Sequence, residues 1–182
     1  MSTESWQFDL SHSSVQFHVR HLMVSKVHGR FHKWSGSLEI DPADLTRSRV
    51  EVAIDAASID TQEPKRDDHL RSPDFFDVAS FPQLTFKSTA IEQRVPGDYV
   101  VTGDLTIHGV TRSVKLAVEG GDTIKDPWGG VRTGFSAKTT ISRKDFGLTW
   151  NVALETGGFV VGDKVEITLE VEAIKKAASV AA

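Results

Sequence analysis

Histidine is the residue type best suited to chemistry in this chain, and His12, His18, His21, His28, His32 and His69 all lie within the first 70 residues. Neutral imidazoles at suitable spacing bind transition metals, and an imidazole between a carboxylate and a hydroxyl activates a nucleophile. The spacing favours neither use. His28 and His32 would converge on a helix, but Gly29 and the alternation around Phe31 indicate extended chain, where four residues span roughly 13 Å and cannot share one ion. His18 and His21 differ in parity and would face opposite sides of a strand. Asp9, His12 and Ser13 supply the residue types of a hydrolase triad. A serine and an acid so close on a strand point apart, however, and no Gly-x-Ser-x-Gly elbow occurs. Asp67 and Asp68, between Arg66 and His69, form an acid/base grouping that ion pairing and capping of neighbouring loops explain at least as well.

Composition narrows the classes further. The chain has 182 residues, 39% hydrophobic with 14 glycines, which fits one soluble folded domain over residues 1–182. Lys and Arg total 21 against 25 acids, for a net charge of −4, so no nucleic-acid partner is expected. The absence of Cys excludes disulfides, thiolate metal sites and a cysteine nucleophile. Neither standard phosphate-binding glycine loop is present. No apolar run approaches the roughly 18 residues of a spanning helix, and the first residues lack a basic and apolar leader, which predicts a cytoplasmic location.

The elements that must position any site follow from a two-residue period, the signature of strands with one buried face. Val15, Phe17 and Val19 alternate with Gln16, His18 and Arg20, and similar runs occur at Trp34–Ile40, Val50–Ile54, Leu84–Phe86, Tyr99–Ile107, Val114–Val118 and Phe135–Ile141. The clearest is Val165, Ile167, Leu169 and Val171 against Glu166, Thr168, Glu170 and Glu172. Turn residues at Pro96-Gly97-Asp98, His108-Gly109, Gly120-Gly121-Asp122 and Pro127-Trp128-Gly129-Gly130 separate them. About eight strands with short connections predict an all-β antiparallel meander, closed as a barrel or folded as a sandwich.

One short helix is expected within residues 63–72, with Pro64 at its start and Pro73 beyond its end. The following loop carries Phe75, Phe76 and Phe81 and should pack over an end of the sheet. The stretch Val24 to Phe31 is ambiguous between a turn, a helical turn and a bulged strand. Gly36, Gly103, Ala137 and Thr139 fall in register with large apolar neighbours, marking either bends or unfilled interior volume.

Three stretches together resemble the YceI-like family of polyisoprenoid-binding proteins. They are DLSHSSVQFHVRHLMVSKVHGRFHKWSGSLEID, IDAASIDTQEPKRDDHLRSPDFFDVASFPQLTFKST, and VTGDLTIHGVTRSVKL followed by DPWGGVRTGFSAKTTISRKDFGL. The likeness runs from about Trp6 to Ile174, leaving residues 175–182 as a tail. It implies an extended, lipocalin-like, eight-stranded antiparallel barrel whose apolar channel holds a long isoprenoid, such as a polyprenyl chain or an isoprenoid quinone, or a similar lipid. It implies binding or carriage with no catalytic residue, no metal ligand and no cofactor.

On that expectation Phe17, Val19, Phe31, Trp34 and Leu38 line the channel from the first half of the chain. Phe86, Gly103, Leu105, Ile107, Phe135 and Ile141 line it from the second, and Phe75, Phe76 and Phe81 cover one mouth. Strands of about ten residues predict a barrel roughly 25 Å tall. From Ser11 to Leu38 there is no acid, while Arg20, Lys26, Arg30 and Lys33 are cationic. Arg20, Lys26 and Arg30 are therefore candidates for a ligand head group or for peripheral contact with a membrane. An open face could also support a homodimer. The competing expectations are a metal-assisted enzyme using His12, His21 and His69, and a filled structural or stress-related interaction barrel.

Overall fold

The computed structural model describes residues 3–177, so most of the expected tail lies outside the described residues. The strands are β1 (Glu4–Phe8), β2 (Ser14–His21), β3 (Ser25–Phe31), β4 (Trp34–Ile40), β5 (Arg49–Asp55), β6 (Ile59–Asp60), β7 (Gln83–Val95), β8 (Asp98–Ile107), β9 (Val110–Lys125), β10 (Val131–Ser142) and β11 (Val161–Lys175). The helix α1 spans Pro64–Arg71. No helix among the described residues is long and apolar enough to cross a membrane.

Pairing is antiparallel throughout, and β1 bonds to both β4 and β11, which closes the sheet. β1 and β2 form one kinked strand around Asp9–Ser13, and β3 and β4 form its partner, kinked at His32–Lys33: Trp6 opposes Leu38 and Val15 opposes Phe31. With each kinked pair taken as one strand, the order runs β1/β2, β3/β4, β5, β7, β8, β9, β10, β11 and back, a closed eight-stranded meander with the small β6 beside β3. Closure removes the unpaired edges that a sandwich would expose.

The strands β7, β9, β10 and β11 have 13, 16, 12 and 15 residues, longer than expected. Tilted as barrel strands are, they build a wall roughly 30 Å or more tall. A register shift opposite Gly120, whose φ is 126°, bends β9 so that it continues beyond the alternating run. The ambiguous stretch Val24–Phe31 is the last residue of a turn followed by β3.

α1 begins where Glu63 accepts a hydrogen bond from Lys65 N (3.0 Å), with Pro64 in the first turn, and ends where Ser72 Oγ donates to His69 O (2.6 Å). Its polar residues fasten it to the barrel end. Buried Asp67 accepts from Thr61 N (2.9 Å) and Thr61 Oγ1 (2.6 Å), and Arg71 donates to Ala57 O and Ile59 O (both 2.9 Å). Each member of the Arg-Asp-Asp-His run has a structural partner: Arg66 and Asp67 bond Thr61, Asp68 pairs with Arg71 and His69 with Asp74. Phe75 is buried beside α1, and Phe76 packs edge-on to Phe31 at 5.9 Å.

Candidate functional site: an apolar cavity in the barrel

Inward side chains of the eight-stranded wall surround an elongated cavity of ≈ 300 Å³. At the end near α1 it is bounded by Leu70, Phe75, Phe76 and Phe146; toward the other end it reaches Leu45, Tyr99 and Phe135. Its middle is lined by Val101, Leu116 and Ala137, a small buried cluster on three neighbouring strands. Gln16, Arg49, Thr139 and Arg143 border the cavity, yet no polar atom is exposed to it. The volume lies at the lower end of the range of about 300–1,000 Å³ typical of ligand pockets.

The structure brings most of the sequence-predicted wall together. Phe17, Val19, Phe31, Trp34, Leu38 and Phe86 line the cavity, as do Leu105, Ile107, Phe135 and Ile141, with Phe75 and Phe76 at the α1 end. Two expected residues do not. A Cβ on Gly103 would lie 2.4 Å from the Phe86 ring and 2.6 Å from Lys87 O, so Phe86 occupies the space the glycine leaves. Gly29 is covered likewise by Phe17, directly opposite it on β2. These strand glycines are seats for aromatic rings and not openings. Phe81 packs edge-on against His108 (4.7 Å) and over Gly109, outside the cavity lining.

Arg20, Lys26 and Arg30 are exposed and alternate with the inward residues of β2 and β3; Arg20 and Lys26 are cross-strand neighbours, and none borders the cavity. The cations that do reach its edge are Arg49 and Arg143, and sequence reasoning missed Arg143 because Ser142-Arg143-Lys144-Asp145 reads as a polar turn. Arg143 is 3% exposed. It donates to Leu148 O (2.6 Å), Trp150 O (2.9 Å) and Gly162 O (2.9 Å), with Val161 O at 3.4 Å. Burial pushes its pKa down, opposed by Asp163.

The structure does not bring His12, His21 and His69 together. His69 bonds Asp74 (2.9 Å) and stacks edge-on against Phe75 and Trp150, whereas His21 pairs with Ser25 at the end of the β2/β3 hairpin. His12 Nδ1 lies 2.9 Å from Asp9 Oδ2. Ser13 is not its partner: the Ser13 hydroxyl donates to Glu172 O, and it is Ser11 Oγ that bonds Asp9, at 2.6 Å. Ser11 also sits on Nδ1 (3.2 Å), the nitrogen already facing the carboxylate, which does not assemble a nucleophile relay.

Asp9, His12 and Glu172 are close enough to share an ion. Arg132 already stands among them, with Nη1 2.9 Å from Asp9 and 2.6 Å from Glu172, and it supplies the positive charge a metal would bring. Its Nε bonds Asp126 at 2.8 Å. The network ties the β1/β2 kink to β10, β11 and the β9/β10 turn.

Hydrogen bonds from Ser11, His12 and Arg132 hold Asp9 well below the usual carboxylate range, while Asp9 raises the pKa of His12. The Asp9 contribution to stability is present above about pH 4 and fades as pH falls through its depressed folded value. The His12 contribution is full below about pH 6.5 and is lost as pH rises through its elevated value. In an NMR titration the His12 ring should inflect above the ordinary histidine value and return to it in Asp9→Asn. An ordinary value in the unmodified protein would contradict the pairing.

The fold and the cavity together define a lipocalin-like barrel that encloses an apolar space. A domain family described as YceI-like matches residues 6–173, and the chain belongs to it. A UPF0312 protein of Shewanella baltica is 38% identical over 166 residues, covering 91% of this chain and 84% of the relative. One from Vibrio cholerae is 41% identical over 138 residues, covering 76% and 73%. Among solved structures, the Campylobacter jejuni YCEI protein superposes with a TM-score of 0.74 at 33% identity, over 87% of this chain and 90% of that one. Burkholderia cenocepacia BcnA gives 0.77 at 28% identity, over 91% and 98%. A polyisoprenoid-binding domain from Saccharophagus degradans has the same fold, with a TM-score of 0.67 at 17% identity, over 95% and 99%.

Proposed function

We propose that this protein binds and carries the chain of an isoprenoid, a polyprenyl lipid or isoprenoid quinone, inside the barrel, without catalysing a reaction on it. The observation that carries this reading is the cavity inside the barrel, with no polar atom of the described residues facing it. A ligand inside must be apolar along its buried length, because no polar atom of the described residues is exposed to it. Each five-carbon isoprene unit removed from water contributes up to about 4 kcal/mol before ordering costs, so even a short buried segment supports retention. The aromatic and branched wall suits a methyl-branched chain, and the name of the Saccharophagus degradans domain agrees with that ligand class. A polar head would remain at a mouth, where hydrogen-bonding partners and water are available.

The test is organic extraction of protein purified from its natural source, followed by mass spectrometry. The expected result is one isoprenoid species in near-stoichiometric amount. Protein that comes out empty and also fails to take up an isoprenoid quinone from detergent would overturn the reading.

A further inference from the structure

Two loops meet at the α1 end of the barrel and expose apolar side chains together. Leu22, Met23 and Val24 form the tip of the β2/β3 hairpin, at 42%, 65% and 82% exposure, and Val152 and Phe159 stand on the neighbouring loop. Among the described residues these are five of the nine large hydrophobic side chains left exposed. The loops are joined: Leu22 N donates to Val160 O at 2.8 Å, Met23 lies against Gly158, and Val160 N bonds Val152 O at 3.1 Å. Ala153 and Phe159 pair across a small bridge that holds the second tip in shape.

The backbone shows that the first tip is costly to maintain. Its turn is closed by Val24 N donating to His21 O (3.1 Å), and both central residues take left-handed φ, 52° at Leu22 and 58° at Met23. Such a turn favours Asn-Gly, and bulky side chains are strained there. Exposed apolar surface and backbone strain at the same residues mark a feature that folding alone does not select.

Its position suggests the occupant. Val19 and Val161, which line the cavity, lie two residues before His21 and one after Val160, which places the tips next to the cavity wall. On the outer face the hairpin carries Arg20 and Lys26 beside the tip, while Arg30 lies farther along β3 opposite Asp60, and no acid occurs from Ser14 to Phe31. On the second loop Glu155 is exposed, and nearby Asp163 is held by Lys144 at 3.0 Å. Apolar side chains at the tip with cations set just behind them match the layered chemistry of an anionic bilayer, hydrocarbon beneath phosphate.

We propose that the paired tips Leu22–Val24 and Val152–Phe159 dock the barrel on an anionic lipid bilayer, so that the cavity loads from and unloads to the membrane. The inference rests on the lipid-carriage reading and adds to it a surface and a partner. The discriminating variant is Leu22→Asn with Met23→Gly and Val24→Ser, which removes the apolar tip and relieves the strained turn, so it should melt no lower than the unmodified protein.

In flotation assays the unmodified protein should rise with vesicles of phosphatidylcholine plus phosphatidylglycerol and bind pure phosphatidylcholine less. The triple variant should lose about tenfold or more of that binding, yet still take up isoprenoid quinone from detergent. Equal flotation of variant and parent, or no flotation of the parent, would overturn docking while leaving carriage intact. Flotation without quinone uptake would instead overturn carriage. A concentration-dependent dimer that the triple variant abolishes, with no vesicle binding, would assign the surface to a second copy of the chain and overturn the bilayer assignment.

Discussion

Ala137→Trp is expected to abolish isoprenoid uptake while leaving the barrel as stable as before or more so. Ala137 is 7% exposed and lines the middle of the cavity, between Val118 on β9 and Leu169 on β11. An indole there would occupy much of the ≈ 300 Å³ that a ligand chain would need. Excluding even four methylene equivalents forfeits about 3 kcal/mol, on the order of a 100-fold loss in affinity. Stability moves the other way because filling a void restores contacts worth about 24 cal/mol per Å³, provided the ring fits without strain. Co-elution with an isoprenoid quinone in gel filtration reads the first effect and thermal melting the second. Ala117→Trp is the control, since Ala117 is exposed on the outer face of β9 and its replacement should leave uptake unchanged. Full uptake by Ala137→Trp would mean that the ligand site lies elsewhere.

Arg143→Met should produce the largest loss of stability. Methionine keeps much of the side-chain volume but removes every donor, which strands the buried carbonyl of Leu148 and the part-buried carbonyls of Trp150 and Gly162. Unsatisfied buried acceptors at about 1–3 kcal/mol each, partly relieved by local opening, predict a net cost of about 3 kcal/mol or more. For a domain of this size that lowers the melting temperature by roughly 10 °C. Lysine should not rescue it, because one ammonium cannot reproduce the planar fork that reaches both ends of the 148–162 loop. Amide exchange should accelerate first in that loop. A variant that melted like the parent, with the loop still protected, would show that Arg143 is not its clasp.

The strands were legible in the sequence because most face water on one side only, and alternation at β2 and β11 names the inward residues directly. Closure was not. Periodicity is the same in a barrel and a sandwich, and only the family likeness pointed to the barrel. The cavity lining was misread at Gly103 because a glycine in sequence looks like missing volume, whereas a ring from the neighbouring strand fills it. The same packing recurs in β3, where Phe17 lies over Gly29. Arg143 escaped because its partners are main-chain carbonyls, which leave no trace in residue types. The exposed tip escaped because Leu-Met-Val reads as core wherever burial is unknown.

The central claim is that the cavity holds an isoprenoid chain, and the most direct test is quantitative lipid extraction from the native protein and from Ala137→Trp, purified side by side. The predicted result is close to one isoprenoid per native molecule and almost none in the variant. Equal amounts in both, or no isoprenoid in the native protein together with refusal of added quinone, would contradict it.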